Sequence, residues 1–401
     1  MSRTATLGAG PRILVVSPMA SHPPNQGNSL RLLAFNRELM ARGARIDLLY
    51  YGMEGLTPDA EAAMRAAWND FIFVPSRPLG RQSYATYWGI DDWCSDALCE
   101  AVDRLAAERR YDAIIVNYTW MSRVLEVCDV PVKVIDTHDM FADRRDKMAE
   151  AGLDPRWFFT SVAEERKAFA RADIVIGIQD AESALIAERF AGRVMTVGHP
   201  LDLGFLLAPS DPDRPLPFGY FASGNPWNKR SALALDAALA ARPYRNWAIA
   251  GTICESGLRL RTAPLELGRL DHPRDFYDHV ACVLNPMISG TGLKIKTIEA
   301  LSYGRPVIGT NAAFEGLRPA HPFHTFSTAE ALADGMQDYA ASPSLAAEVA
   351  GASRTLAIAY ADEVARQFDT LIGSIRDVCH DRRSQGRQEP VSEQPVSEQP
   401  V

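Results

Sequence analysis

Between residues 285 and 310 the chain reads NPMISGTGLKIKTIEALSYGRPVIGT, and these residue types at this spacing can hold an anion. A strand that ends at Asn285-Pro286 leads into Gly290, Thr291 and Gly292. A helix is expected from about Leu293 until Gly304 stops it. A glycine-rich turn that opens a helix leaves N–H groups unpaired at the positive end of the helix dipole, where a phosphate is favoured. Lys294 and Lys296 fall in the first turn, where their charge opposes the dipole and calls for a compensating anion such as a pyrophosphate. Glu299 lies three residues past Lys296, so the spacing predicts a shared helix face. A carboxylate there can accept hydrogen bonds from ribose hydroxyls. The plain alternative is a βαβ turn with a glycine loop and solvated lysines.

The elements around this stretch read as alternating strands and helices. Strands are expected at Arg12–Ser17, Arg45–Tyr51, Phe71–Pro75, Asp112–Asn117, Val132–Asp136, Ile174–Ile178 and Arg193–Val197. They are nearly continuous apolar runs, the pattern of parallel strands covered on both faces. After a proline-rich pause at Leu203–Pro217, which reads as a hinge, a second series follows. Its expected strands are Phe218–Ala222, Trp247–Ala250, Leu265–Leu267, Ala281–Asn285, Pro306–Thr310 and His324–Phe326. Helices are expected at Asn28–Arg42, after the Thr57-Pro58 start signal, and near Arg230–Ala241, His272–His279, Leu293–Tyr303, Thr328–Ala341 and Pro343–Cys379. Ser327 and Glu330 have capping-box spacing. Two doubly wound sheets follow, with ligands expected at the carboxyl ends of their strands. His138 falls just past one such strand end, with Asp139 beside it. The alternative for this pair is a packed histidine and a helix-capping aspartate.

Composition narrows the classes. The net charge of −8 argues against a non-specific nucleic-acid binder. The six cysteines form no CxxC pair and the eight histidines no HExxH, so reduced thiols and no metal site are expected. No GxGxxG follows the first strand, which disfavours a dinucleotide fingerprint. The first apolar run, Ile13–Val16, is too short for a signal or membrane segment, and a cytoplasmic protein is expected. The repeat in EPVSEQPVSEQPV reads as a disordered tail.

The segment GTGLKIKTIEALSYGRPVIGT resembles the nucleotide-sugar motif in the C-terminal domain of GT-B glycosyltransferases, most of all the retaining family 4. Lys296, Glu299-Ala300, Gly304, Pro306-Val307 and Thr310 carry the likeness. It implies that Glu299 binds ribose, and that Gly290, Thr291 and Gly292 with Lys294 and Lys296 meet the donor. Many members have an E-x7-E pair whose first glutamate would fall on Thr291, so donor-sugar recognition does not transfer to that position. SPMASHPPNQGNSLRLL resembles the family's first loop, which implies substrate contacts for Gly27, Asn28 and Arg31, although Arg31 can equally be a solvated helix residue. VIDTHDMFADR resembles its D-x-H-D segment, which implies that His138 and Asp139 face the donor sugar or phosphate. FGYFASGNPWNKR resembles the first strand and loop of the second domain, which implies that Lys229 or Arg230 reaches the diphosphate. VGHPLD stands where the first domain hands over to the linker, with His199 where many relatives have asparagine.

The resemblance implies an α/β chain of GT-B type, with two Rossmann-like doubly wound domains facing an interdomain cleft. The expected bounds are 1–205 for an acceptor-side domain, 206–217 for the hinge and 218–355 for the nucleotide-sugar domain. Residues 356–380 would form a helix crossing back, and 381–401 a disordered tail. The implied activity is metal-independent hexosyl transfer, with retention, in glycan or polysaccharide biosynthesis. The donor is a UDP-, GDP- or other nucleotide-linked sugar, and no cofactor is required. The acceptor is a glycan, a lipid-linked molecule or a protein. A lipid-linked acceptor would bring peripheral membrane contact. Two other readings stand beside it: a catalytically silent scaffold, favoured by Thr291, and a nucleotide-sugar epimerase, which needs acid and base carboxylates at the sugar.

Overall fold

The computed structural model of the chain describes residues 10–150, 152–154, 157–206, 216–290 and 292–385. Seven strands form the first sheet: β1 (Arg12–Ser17), β2 (Arg45–Tyr51), β3 (Asp70–Val74), β4 (Ala113–Asn117), β5 (Val132–Asp136), β6 (Ile174–Gly177) and β7 (Arg193–Thr196). Their order is β3-β2-β1-β4-β5-β6-β7, with every neighbouring pair parallel. The second sheet holds β8 (Leu216–Phe221), β9 (Ala248–Ala250), β10 (Leu265–Gly268), β11 (Val280–Asn285) and β12 (Val307–Gly309). It runs β10-β9-β8-β11-β12 and is also parallel. Ile13, Leu14, Val15 and Val16 are all fully buried, so β1 has no water-facing side and helices must cover both faces of its sheet. Strand order reverses between β1 and β4 and again between β8 and β11, which opens a crevice at the carboxyl ends of those strands.

The first domain's helices are α1 (Gly27–Ala41), α2 (Pro58–Ala67), α3 (Asp96–Glu108), α4 (Val124–Val127), α5 (Arg144–Glu150), α6 (Val162–Phe169) and α7 (Asp180–Arg189). The remaining helices are α8 (Pro226–Ala240), α9 (Pro273–Tyr277), α10 (Ile295–Ser302), α11 (Ala329–Ala341) and α12 (Pro343–Gln385). α12 serves both cores. Val349, Leu356 and Ala357 pack in the second domain, and Val364, Phe368, Leu371 and Ile375 pack in the first with Ile13 and Leu39.

Four local expectations change. α8 begins at Pro226 rather than near Arg230, because Asn225 caps it by accepting from the Asn228 N–H at 2.8 Å. Lys229 and Arg230 are therefore helical. Thr328, not Ser327, caps α11, accepting from the Ala331 N–H at 3.1 Å. No strand forms at His324–Phe326. Pro322–His324 make a 3-10 turn, with His324 buried against Ser353 and stacked on Phe314, and only a single bridge joins Phe326 to Thr310. Residues 381–385, expected in the tail, continue α12, because Arg382 donates to the Pro131 carbonyl at 2.6 Å and Arg383 pairs with Asp112 at 2.6 Å. Thr291, the hinge residues 207–215 and the tail from 386 lie outside the described residues.

Candidate functional site

The site is built where the two crevices face each other. On the first-domain side, His138 follows β5 and its ring stacks on Tyr118 at 4.3 Å, which in turn stacks on Trp120 at 5.0 Å. Both His138 (φ 59°) and Tyr118 (φ 73°) hold the left-handed backbone region that non-glycine residues avoid, and such strain concentrates at functional sites. Asn117, at the end of β4, donates its amide to the Val16 carbonyl at 3.1 Å, which leaves its oxygen as an acceptor 2.7 Å from His138 Nε2. His138 thus carries its proton on Nε2 and presents Nδ1 as an acceptor. Burial pushes its pKa down to about 4, with Asp136 opposing and Arg31 assisting, so the ring is neutral at physiological pH.

Asp139 is engaged next to it. It accepts from the Met140 N–H at 2.8 Å and from Arg144 at 2.9 Å. Arg31 is only 1% exposed, and its side chain is occupied within the fold. It makes a two-pronged pair with Asp136, at 3.0 and 2.7 Å, and donates to the carbonyls of Val197 and Gly198. The residue read as a substrate contact therefore ties α1 to β5 and to the end of β7. It sits one turn behind Gly27, which reaches the cleft edge, and Asn28, whose side-chain oxygen accepts from the Ser29 N–H at 2.8 Å. A side chain at residue 27 would meet Ile295 of the second domain at 3.6 Å.

On the second-domain side, Gly290 (φ 146°) and Gly292 (φ 68°) bracket the loop that opens α10, in backbone regions that exclude side chains at low cost. Gly292 lies against the first domain. A side chain there would come 3.7 Å from the His138 carbonyl and 4.0 Å from Glu182. The lysines of this loop are compensated from within the protein. Lys294 is buried, donates to the Gly292 carbonyl at 2.6 Å and pairs with Glu315 at 3.2 Å. Lys296 donates to Asn228 and to the Tyr220 hydroxyl at 3.2 Å, and burial, then Lys294, lowers its pKa to about 7. Glu299 turns to α9, where its carboxylate accepts from the Tyr277 hydroxyl at 2.9 Å. Burial raises it to about 7. Lys296 and Glu299 lie three apart on α10 and turn to different partners, Lys296 to Asn228 and Tyr220 and Glu299 to Tyr277. A cavity of about 280 Å³ lies along the Glu299 flank, lined by Leu30, His199, Ile295, Ile298, Glu299 and Tyr303 among others.

Lys229 and Arg230 stand in the opening turns of α8, after β8. Lys229 is half-buried; its N–H donates to the Asn225 carbonyl at 3.1 Å, and its side chain has no hydrogen bond or ion pair among the described residues. Arg230 is exposed and reaches over toward the first domain, with its guanidinium 3.2 Å from where a side chain on Gly152 would begin. The larger recess, about 730 Å³, lies by Arg245, Arg259 and Leu265 at the amino ends of β9 and β10, the end opposite the glycine loops. Among the described residues no three His, Cys, Asp or Glu side chains converge as metal ligands.

The sequence reading missed the network that holds the His138 loop. Glu165, fully buried on α6, accepts from the N–H groups of Phe141 and Ala142 and pairs with Arg189 at 2.9 Å, which also grips Asp143. Its only sequence trace is an acidic residue in the first turn of an amphipathic helix.

No protein-family model matches the chain, and no curated protein matches it. Solved structures do. Sucrose-phosphate synthase from Thermosynechococcus elongatus is 17% identical, superposes with a TM-score of 0.69, and the match covers 92% of this chain and 99% of that one. Anabaena Alr3699/HepE, solved with UDP and glucose, is 17% identical with a TM-score of 0.62 over 94% and 100% of the two chains. TarM is 11% identical with a TM-score of 0.66 over 90% and 98%. Two parallel doubly wound domains that face across a cleft, matched almost end to end by these glycosyltransferase structures, give this chain the GT-B fold.

Proposed function

We propose that the chain transfers a sugar from a nucleoside-diphosphate sugar to a hydroxyl acceptor. The observation that carries this reading is the meeting of two helix N-termini from different domains across the cleft, α1 at Gly27 and α10 at Ile295, where a Cβ built on Gly27 would lie 3.6 Å from the Ile295 side chain. Two positive dipole ends brought together create a site for a diphosphate. The loop Gly290–Gly292 supplies N–H donors, and Lys229 is the cation available to move onto the leaving group. Arg230 stands as its exposed neighbour. Glu299 takes the ribose hydroxyls in exchange for Tyr277, and the adjoining cavity accommodates that end of the nucleotide.

Departure of the nucleoside diphosphate builds negative charge on its β-phosphate. Preorganised N–H groups and cations stabilise that charge without a metal ion. Neutral His138, with Nδ1 as an acceptor and Asp139 held by Arg144 beside it, faces the sugar. Retention follows if the leaving phosphate itself takes the acceptor's proton, in which case no enzymic nucleophile is needed. HepE has been solved with UDP-glucose, which supports a nucleotide-linked hexose as donor. TarM has been solved with fondaparinux and α-GlcNAc-glycerol, which supports a glycan acceptor. A role in glycan or polysaccharide synthesis at the cytoplasmic face of a membrane fits a lipid-linked acceptor. No helix among the described residues is long and apolar enough to cross a membrane.

Thermal unfolding with a panel of nucleoside diphosphates and nucleotide-sugars tests the reading. A ligand at about 100 times its Kd adds roughly 2.7 kcal/mol, or several degrees at about 2–4 °C per kcal/mol. A shift with one nucleotide, lost in Glu299→Ala, supports it. No shift with any member of the panel, in a folded sample, overturns it.

A further inference from the structure

The first-domain wall of the cleft carries buried polar atoms that lack partners. Among the described residues these include Gln179 Oε1, Glu182 Oε2 and His199 Nδ1. Gln179 is 3% exposed, and Glu182 and His199 are 8% exposed each. Gln179 is the cap residue of α7 and Glu182 lies in its first turn, so both stand past the carboxyl end of β6. His199 follows β7. One oxygen of the Glu182 carboxyl, Oε2, has no partner. Gly292 stands opposite the same carboxyl, and a Cβ built on it would lie 4.0 Å from the other oxygen, Oε1. Native interiors rarely leave such atoms unpaired, because each costs its full desolvation.

The inventory points to the chemistry of the missing partner. A phosphate oxygen only accepts, and cannot satisfy the Gln179 carbonyl or an ionised Glu182. Lys294 is near, but it is already held by Gly292 and Glu315. A hydroxyl both donates and accepts, so it can satisfy the open Glu182 oxygen in either protonation state. Burial, with Asp139 adding to it and Lys294 and Arg31 opposing, raises the Glu182 carboxyl to about 8. A carboxyl balanced in this way can likewise donate or accept.

We propose that Glu182 recognises the hydroxyls of the donor's transferred sugar from the first-domain wall, facing Gly292. This rests on the nucleotide-sugar reading and adds to it the residue that sets donor-sugar specificity. Cleft closure then becomes part of recognition, since the phosphate-holding loop and the sugar-reading carboxyl belong to different domains.

The test compares wild type, Glu182→Gln and Glu182→Ala by calorimetric titration. The ligands are the nucleoside diphosphate that stabilises the wild type, the matching nucleotide-sugar, and its sugar epimer. The expected result is diphosphate affinity within roughly twofold of wild type, nucleotide-sugar affinity down about tenfold or more, and weaker discrimination against the epimer. Unchanged nucleotide-sugar affinity, or an equal loss for diphosphate and nucleotide-sugar, overturns the proposal while the diphosphate site stands. If nothing in the panel binds the wild type, the nucleotide-sugar reading falls and takes this proposal with it. Glu182→Gln keeps the side-chain volume, and an unchanged melting temperature without ligand shows that the variant is folded.

Discussion

His138 sits where a stacked aromatic column, a strained backbone and a buried ion pair meet. Its neutral state has a consequence for stability. The folded ring titrates near 4 and an unfolded histidine near 6.5, so below pH 6.5 the unfolded chain binds a proton that the folded chain refuses. The contribution is complete above 6.5 and is lost as pH falls toward 4. Melting temperature should therefore fall more steeply between pH 6.5 and 4 in wild type than in His138→Gln. Equal slopes would mean that the ring is not held neutral. Arg31 is a structural residue in the same locality. Arg31→Ala leaves Asp136 buried without its pair and should cost about 3–5 kcal/mol in denaturant unfolding. A loss below about 1 kcal/mol would show that the pair is effectively solvated.

Among the elements, α8, α10 and α12 decide most about the cleft. Asn225 and Pro226 start α8 early enough to put Lys229 in the helix, at the end of β8. Asn225→Ala should cost about 1 kcal/mol of stability and, if Lys229 serves the leaving group, should also lower turnover. α10 carries Lys296 toward Tyr220 and Glu299 toward Tyr277, so one short helix is tied to both β8 and α9. α12 begins in the core of the second domain and finishes in that of the first. Phe368 is fully buried there, edge-on to Phe35 at 4.9 Å. Phe368→Ala should cost about 3–5 kcal/mol and lower the unfolding midpoint of the first domain. A variant with the wild-type midpoint would show that α12 does not hold that core.

In the whole molecule, glycines, a histidine carbonyl and buried charged groups make part of the contact across the cleft, and a small apolar cluster of Ile178 with Leu293 and Ile298 makes another part. Interfaces of that kind within a chain permit relative domain motion. Donor binding should draw the domains together, because each contributes part of the site. Small-angle scattering at saturating donor should report a smaller radius of gyration than without ligand, and an unchanged radius would reject closure.

The sequence alone determined the two parallel sheets, since a strand covered on both faces must be a continuous apolar run and such runs can be read directly. It also located the Gly290–Gly292 loop and the His138 segment, because glycine at a tight turn and a polar residue just past a strand end are local signals. Tertiary structure alone decided what those residues touch. Arg31 meets Asp136 across 105 positions of sequence, Lys294 meets Glu315, and Lys296 and Glu299 take partners from different elements. Glu165 and Glu182 had no local signal of function at all. Periodicity tells whether a position is buried, but the neighbour that buries it comes from another element. The charge, pairing and reach of a side chain depend on that neighbour, so the outline of the site could be read from the chain and its working parts could not.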